Sequence, residues 1–376
     1  MTSSLSAFDL ATLAPEYVRS IAAYLPGKPI SDVARELGLN ETDIIKLASN
    51  ENPLGASPKA IAAIHSALGE LALYPDGSGF ALKAAISKKY SLAPEQIILG
   101  NGSNDVLELA ASTFMKAGDS AVYAQYAFAV YPLVTQAVGA TGIEAPAKNF
   151  GNDVESMLKA IRADTKMVFI ANPNNPTGTF ISGARLHAFI KQVPGNVLVV
   201  VDEAYGEYLS DGDSYDSVPW LTEFPNVIIS HTMSKAYGLA GLRIGFGFAQ
   251  PKLIDLMNRV RQPFNVNHLA MVAAVAALGD DTFIRQSRSV NNAGLLLLAT
   301  ALGKRRLATI PAFGNFITFK INHAKRVFNA LLKQGVIVRP LAGYGMPDYL
   351  RVTIGTEAQN RRFLAALDVA ISSADQ

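Results

Sequence analysis

Residues 227–245 read VIISHTMSKAYGLAGLRIG. An apolar run at 227–229 leads into a polar, glycine-bearing turn, and Lys235 sits in that turn beside Thr232, Ser234 and Gly238. A short apolar run without alternation marks a strand buried on both faces. A lysine on a hydroxyl-rich turn just past such a strand is a candidate for Schiff-base chemistry. Arg243, eight residues further on, is a candidate for holding the phosphate of a group attached there.

Outward from this stretch the same unit repeats. Apolar runs at 96–99, 121–123, 141–146, 167–171 and 197–201 read as strands. They alternate with helical patterns at 58–69, 81–90, 105–116, 130–138 and 186–192. Strands of this kind separated by helices imply a mostly parallel sheet with right-handed crossovers, an α/β class. After Gly247 the pattern changes. Long helices are expected over 252–261, 266–278 and 281–302, then strands at 316–321, 336–339 and 349–354 with helices at 324–334 and 357–373. This reads as a smaller α+β unit. The expected division is an arm and first helix over 1–40 packing with the small unit, a large unit over 41–264, and a small unit over 265–376, the boundary falling inside a helix.

The chain has 376 residues, 49% of them hydrophobic and 17% charged, which suits an apolar-cored enzyme and not a disordered chain. A net charge of +2 without runs of one sign gives no reason to expect nucleic-acid or membrane-surface binding. There is no cysteine, which excludes thiolate catalysis and thiolate zinc sites. The five histidines show no ligand spacing, so no metal is expected. The start of the chain lacks a signal-peptide pattern and no apolar run approaches the length of a membrane span, so a cytoplasmic location is expected.

In an open α/β sheet, ligands bind beyond the carboxyl ends of the strands. Four polar segments are expected there: GNGSN at 100–104, NPNNPTG at 172–178, DEAY at 202–205 and the Lys235 turn. The first joins a strand to a helix N-terminus and suits a single phosphate, with Ser103 and Asn104 beside it; the plainer reading is helix capping. Asp202 closes a buried strand, where a carboxylate is costly without a partner. It either caps a turn or pairs with a protonated ring nitrogen, the arrangement that makes a pyridinium an electron sink. The two prolines around Asn175 make a rigid loop able to aim its amide.

Together these segments resemble those of the fold-type I pyridoxal-phosphate aminotransferases, whose architecture is aspartate aminotransferase-like, and above all the histidinol-phosphate aminotransferase family. The resemblance covers nearly the whole chain. It includes YLPGK at 24–28, SNENPLG at 49–55, LYPD at 73–76, VDEAY at 201–205 and LRVTIG at 350–355, besides the segments above. It implies pyridoxal 5′-phosphate as cofactor, with Lys235 as the Schiff-base lysine, Asp202 on the pyridine nitrogen, and Asn175 and Tyr205 on the phenolic oxygen. It further implies Ser103, Asn104, Ser234 and Arg243 around the phosphate and Tyr126 stacked on the ring. Tyr74 is expected to reach the cofactor of a neighbouring subunit, hence a homodimer with shared sites. Arg351 is implied for a substrate carboxylate and Arg339 for a substrate phosphate, with Tyr24 and Asn52 close by. The expected reaction is ping-pong transfer from an amino donor to 2-oxoglutarate, the donor being histidinol phosphate. Phenylalanine or tyrosine as donor, a decarboxylase and a non-catalytic cofactor-binding regulator are the other readings.

Overall fold

The computed structural model describes residues 9–23 and 27–374. Twelve strands occur among them: β1 (Ile45–Lys46), β2 (Ile97–Gly100), β3 (Ser120–Ala124), β4 (Thr141–Ala145), β5 (Thr165–Ala171), β6 (Leu198–Asp202), β7 (Val227–Thr232), β8 (Gly245–Ala249), β9 (Phe316–Lys320), β10 (Val336–Ile337), β11 (Arg339–Pro340) and β12 (Tyr349–Thr353). Seven form one sheet in the order β2-β8-β7-β6-β5-β3-β4. Only β8 runs antiparallel to its neighbours, so the other six end at one edge. The expected α/β architecture is present. The centre of the sheet is buried on both faces: Val199, Val200, Val201, Val227, Ile228 and Ile229 are all inaccessible, as their unbroken apolar pattern requires.

Register sets the edge. Gly245 lies opposite both Gly100 and Thr232, Asp202 opposite Ser230, and Ala171 opposite Asp202. The segments carrying Asn175, Asp202, Lys235 and Asn104 therefore lie side by side at this edge.

The smaller unit is a three-stranded antiparallel sheet, β11-β12-β9, covered by helices Asp281–Lys304, Ala324–Lys333 and Glu357–Ala374. The single strand expected at 336–339 is two, because the chain changes partner: β10 pairs in parallel with β1, and β11 antiparallel with β12. Residues 261–267 are a loop between helices Pro251–Val260 and His268–Leu278, so no helix spans the expected boundary. Helix His268–Leu278 buries Ala270, Ala273, Ala274 and Ala277 in the core of the larger sheet, packed on helices Pro58–Ala67 and Phe80–Tyr90. An all-apolar helix has no solvent face and goes where it can be covered on every side. The division at 265 would assign it to the smaller unit; we place the division after it, at helix Asp281–Lys304.

The arm also divides. Helix Ile30–Leu37 buries Val33 and Ala34 against Leu332 and Ile337 of the smaller unit. Residues 17–20 instead lie on helix Val130–Ala137 beside the large sheet, where Gln136 Nε2 donates to Tyr17 O (3.1 Å) and Ser20 Oγ (3.0 Å). Among the described residues no helix is long and apolar enough to cross a membrane.

Candidate active site

A cavity of about 390 Å³ opens at the carboxyl edge of the large sheet, under the smaller unit. One end of it is a cup. The helix Ser103–Phe114 begins directly after β2, and its cap residue is Gly102, which has no side chain to bond the first turn. The capping reading of Ser103 and Asn104 is thereby excluded; both line the cavity. Arg243 closes the cup, its Nη1 donating to Ala240 O at 3.0 Å and lying 3.5 Å from Ser234 Oγ. The fit depends on glycine. Gly102 has φ 84, and a Cβ there would lie 2.5 Å from Arg243 Nη2. Free helix N–H groups, two hydroxyls and a guanidinium form an anion site.

Lys235 stands next to the cup, with Nζ donating to Ser49 O at 3.0 Å. Burial, helped by the positive Arg351 and Arg243, pulls its amine down to about 8. Asp202 is 4% exposed and takes a hydrogen bond from the Tyr131 hydroxyl at 2.9 Å on Oδ2. Its Oδ1 is buried and meets no donor among the described residues. Burial pushes its carboxyl up to about 6, against the pull of the Tyr131 hydroxyl. Tyr205, also buried, accepts a hydrogen bond from Asn50 Nδ2 at 2.9 Å, and burial raises its phenol to about 12. It is a neutral hydroxyl at neutral pH.

The far end is cationic. Arg339 and Arg351 are directly opposed on β11 and β12 and both line the cavity. Two guanidiniums brought to one cavity in that register can receive an anion together. Arg351 is only 5% exposed; Nη2 donates to Ala48 O at 2.8 Å, Nη1 donates to Asn175 Oδ1, and the guanidinium lies 5.1 Å from the Phe316 ring centroid. With Oδ1 taken by the arginine, the NH2 of Asn175 is its remaining donor end.

Residues 42–367 match the family model for aminotransferase class I and II. The chain belongs to this aminotransferase family. It is 54% identical to histidinol-phosphate aminotransferase 2 of Nitrosospira multiformis over 98% of this chain and 94% of that one. It is 57% identical to the histidinol-phosphate aminotransferase of Methylobacillus flagellatus over 94% and 96%. Among solved structures, histidinol-phosphate aminotransferase from Sinorhizobium meliloti in complex with pyridoxal-5′-phosphate superposes with a TM-score of 0.87 at 25% identity, covering 99% of this chain and all of that one. A Thermus thermophilus aspartate aminotransferase shares the fold, with a TM-score of 0.82 at 21% identity over 96% and 99%.

The aminotransferase's residues fit pyridoxal phosphate. The buried, undonated Oδ1 of Asp202 suits a protonated ring nitrogen, and the cup suits one phosphate. Lys235, whose pKa is lowered, suits the aldehyde, and Asn175 and Tyr205 line the same cavity.

Two expected residues are placed elsewhere. Tyr126 does not face the cavity. Its backbone is left-handed (φ 60), and its ring packs 5.9 Å from Phe150, while Phe128, two residues on, lines the cavity instead. Asn52 is not in the cavity either. Its Nδ2 donates to Ala236 O and Ser287 Oγ, both at 2.8 Å, so it ties the turn after Lys235 to helix Asp281–Lys304. Tyr74 is 84% exposed, away from this chain's cavity, and stacks on Phe264 at 4.9 Å. Tyr24 lies outside the described residues. Sequence reasoning also missed Asn50, Tyr131 and Phe128. Asn50 had a signal, a residue tolerant of φ 56 within SNENPLG; Tyr131 had none, because its bond to Asp202 spans 71 residues.

Proposed function

We propose that this aminotransferase moves the amino group of L-histidinol phosphate to 2-oxoglutarate, giving imidazole acetol phosphate and L-glutamate, with pyridoxal phosphate held at Lys235. The observation that carries the donor assignment is the opposed pair Arg339 and Arg351 at the end of the cavity away from the phosphate cup: two anion sites, one for a cofactor phosphate and one for a substrate anion. The names of relatives more than half identical over almost the whole chain support it.

When bound, pyridoxal phosphate supplies an aldehyde for the amino group and a ring that accepts the electron pair left when the donor loses its proton. The chain's residues do the rest. Lys235 Nζ, neutral in a substantial fraction near pH 8, takes the proton from the donor carbon and returns it. Asp202, ionised above about pH 6, holds positive charge on the ring side of the cavity. Arg351 receives the α-carboxylate of 2-oxoglutarate in a charge-assisted, bidentate manner, and Arg339 the phosphate of the donor.

Replacing Arg339 by alanine is expected to lower kcat/KM for histidinol phosphate by roughly 10- to 100-fold, the worth of hydrogen bonds to a charged group, with a much smaller loss for phenylalanine. Equal losses would reject a phosphate role.

We further infer a homodimer with shared sites. Leu71, Leu73, Tyr74, Phe80 and Phe264 are 62%, 70%, 84%, 77% and 45% exposed on one chain, more apolar surface than isolated side chains account for. If Tyr74 serves the other subunit's cavity, mixing inactive Lys235→Met chains with Tyr74→Ala chains creates one intact site per heterodimer and restores turnover above that of either parent. Mixtures no more active than the Tyr74→Ala chains they contain would place Tyr74 in service of its own subunit.

A further inference from the structure

Beside the catalytic cavity lies a second one of about 270 Å³, lined in part by Tyr123, Tyr126, Pro132 and Tyr344. Tyr344 lines both. The rest of the partition is the loop after β3, whose Phe128 faces the catalytic cavity while Ala127 and Ala129 face the other. Tyr344 ends the turn Ala342–Tyr344 between Gly343 and Gly345, and Gly345 has φ 72. Its ring belongs to an apolar cluster built on Ile310, Leu341 and Met346. The turn is held by backbone hydrogen bonds, Tyr344 N donating to Leu341 O at 2.9 Å and Gly345 N to Ala342 O at 3.0 Å, and by the packing of this ring.

We propose that Tyr344 is a specificity-determining residue: it limits the donor side chain by closing the catalytic cavity off from the aromatic compartment, which takes planar rings once the two are joined. The inference rests on the reading of the site as one that binds an amino donor. A hydrophobic pocket discriminates by about one to two orders of magnitude for each small increment of size, so enlarging it grades donors by ring size.

The test uses the full-length enzyme loaded with pyridoxal phosphate, 2-oxoglutarate as acceptor, and L-alanine, L-phenylalanine, L-tryptophan and histidinol phosphate as donors. Tyr344→Ala is expected to raise kcat/KM relative to histidinol phosphate about tenfold or more for tryptophan, less for phenylalanine and not for alanine. Adding Ala127→Phe, which refills the compartment from its other wall, reverses the gain. Calorimetry gives a readout independent of turnover: Tyr344→Ala tightens indole-3-propionate about tenfold and leaves propionate unchanged. A uniform change across donors, or a gain that Ala127→Phe leaves intact, overturns the proposal. A wild-type enzyme inactive on histidinol phosphate would instead remove the donor assignment, and the order of the two propionates would still decide the role of Tyr344.

Discussion

Replacing Lys235 by methionine is expected to end covalent attachment of the cofactor and to lower kcat by at least about 10⁴-fold, the upper range for removing a positioned acid–base group. Borohydride treatment followed by intact mass measurement reads the attachment directly: the wild type gains the mass of the reduced cofactor and the variant does not. A wild type that gains no mass would remove the assignment. The same substitution acts on stability with a sign fixed by the amine. In the folded cofactor-free protein its pKa is lowered to about 8 from an ordinary 10.5, so below pH 8 the unfolded chain holds the proton as well as the folded one, and the buried charge costs stability there. Between about pH 8 and 10.5 the unfolded state binds more protons and the native state gains as pH rises. Lys235→Met therefore stabilises the cofactor-free protein at pH 7, by on the order of 3 kcal/mol, and this advantage shrinks between pH 8 and 10.5. Urea denaturation at pH 7 and pH 10 checks the trend; an advantage that does not shrink excludes the buried amine as its source.

Asp202→Asn is expected to lower kcat by roughly 10²- to 10³-fold, the range for removing one preorganised electrostatic partner, with the fold intact. The amide is isosteric, and its oxygen still accepts from Tyr131, the partner at 2.9 Å. The charge is what goes. Because burial lifts the folded-state carboxyl to about 6 from 3.8, the native cofactor-free protein binds more protons than the unfolded chain between those values, and this group makes stability fall as pH rises from about 4 to 6. The variant lacks that slope. Denaturation of the cofactor-free protein at pH 4.5 and 6.5, wild type against variant, separates the two effects. Full kcat in a folded Asp202→Asn enzyme would show that the carboxylate's charge is not needed.

The residues legible in the sequence share a property: each lies at or just past the end of a strand whose burial its own composition announces. Asp202 after five residues of apolar strand, Lys235 after β7, Asn175 after β5 and Ser103 after β2 needed only the rule that parallel strands end at one edge. The misplaced residues lie where a local decision of the backbone, or a distant partner, settles the matter. Tyr126 and Phe128 are both aromatic and two residues apart, and the left-handed turn at Tyr126 decides which ring enters the cavity. Asn52 was assigned to the substrate with its motif, yet its amide is used up by Ala236 and Ser287. Helix His268–Leu278 reads as apolar on every side, and no periodicity tells which of two cores will take it.

By itself, then, the sequence determined the α/β class, the edge at which the loops gather, and the lysine, carboxylate and anion cup found there, because hydrophobic runs and loop chemistry are local properties. Tertiary structure alone decided the opposition of Arg339 and Arg351, the bond from Arg351 to Asn175, the Tyr131 support of Asp202 and the partition at Tyr344. Each of these joins residues from separate elements, and such contacts are fixed only when the elements pack: within the smaller sheet for the two arginines, within the large unit for Tyr131 and Asp202, and between the units for Arg351 and Asn175.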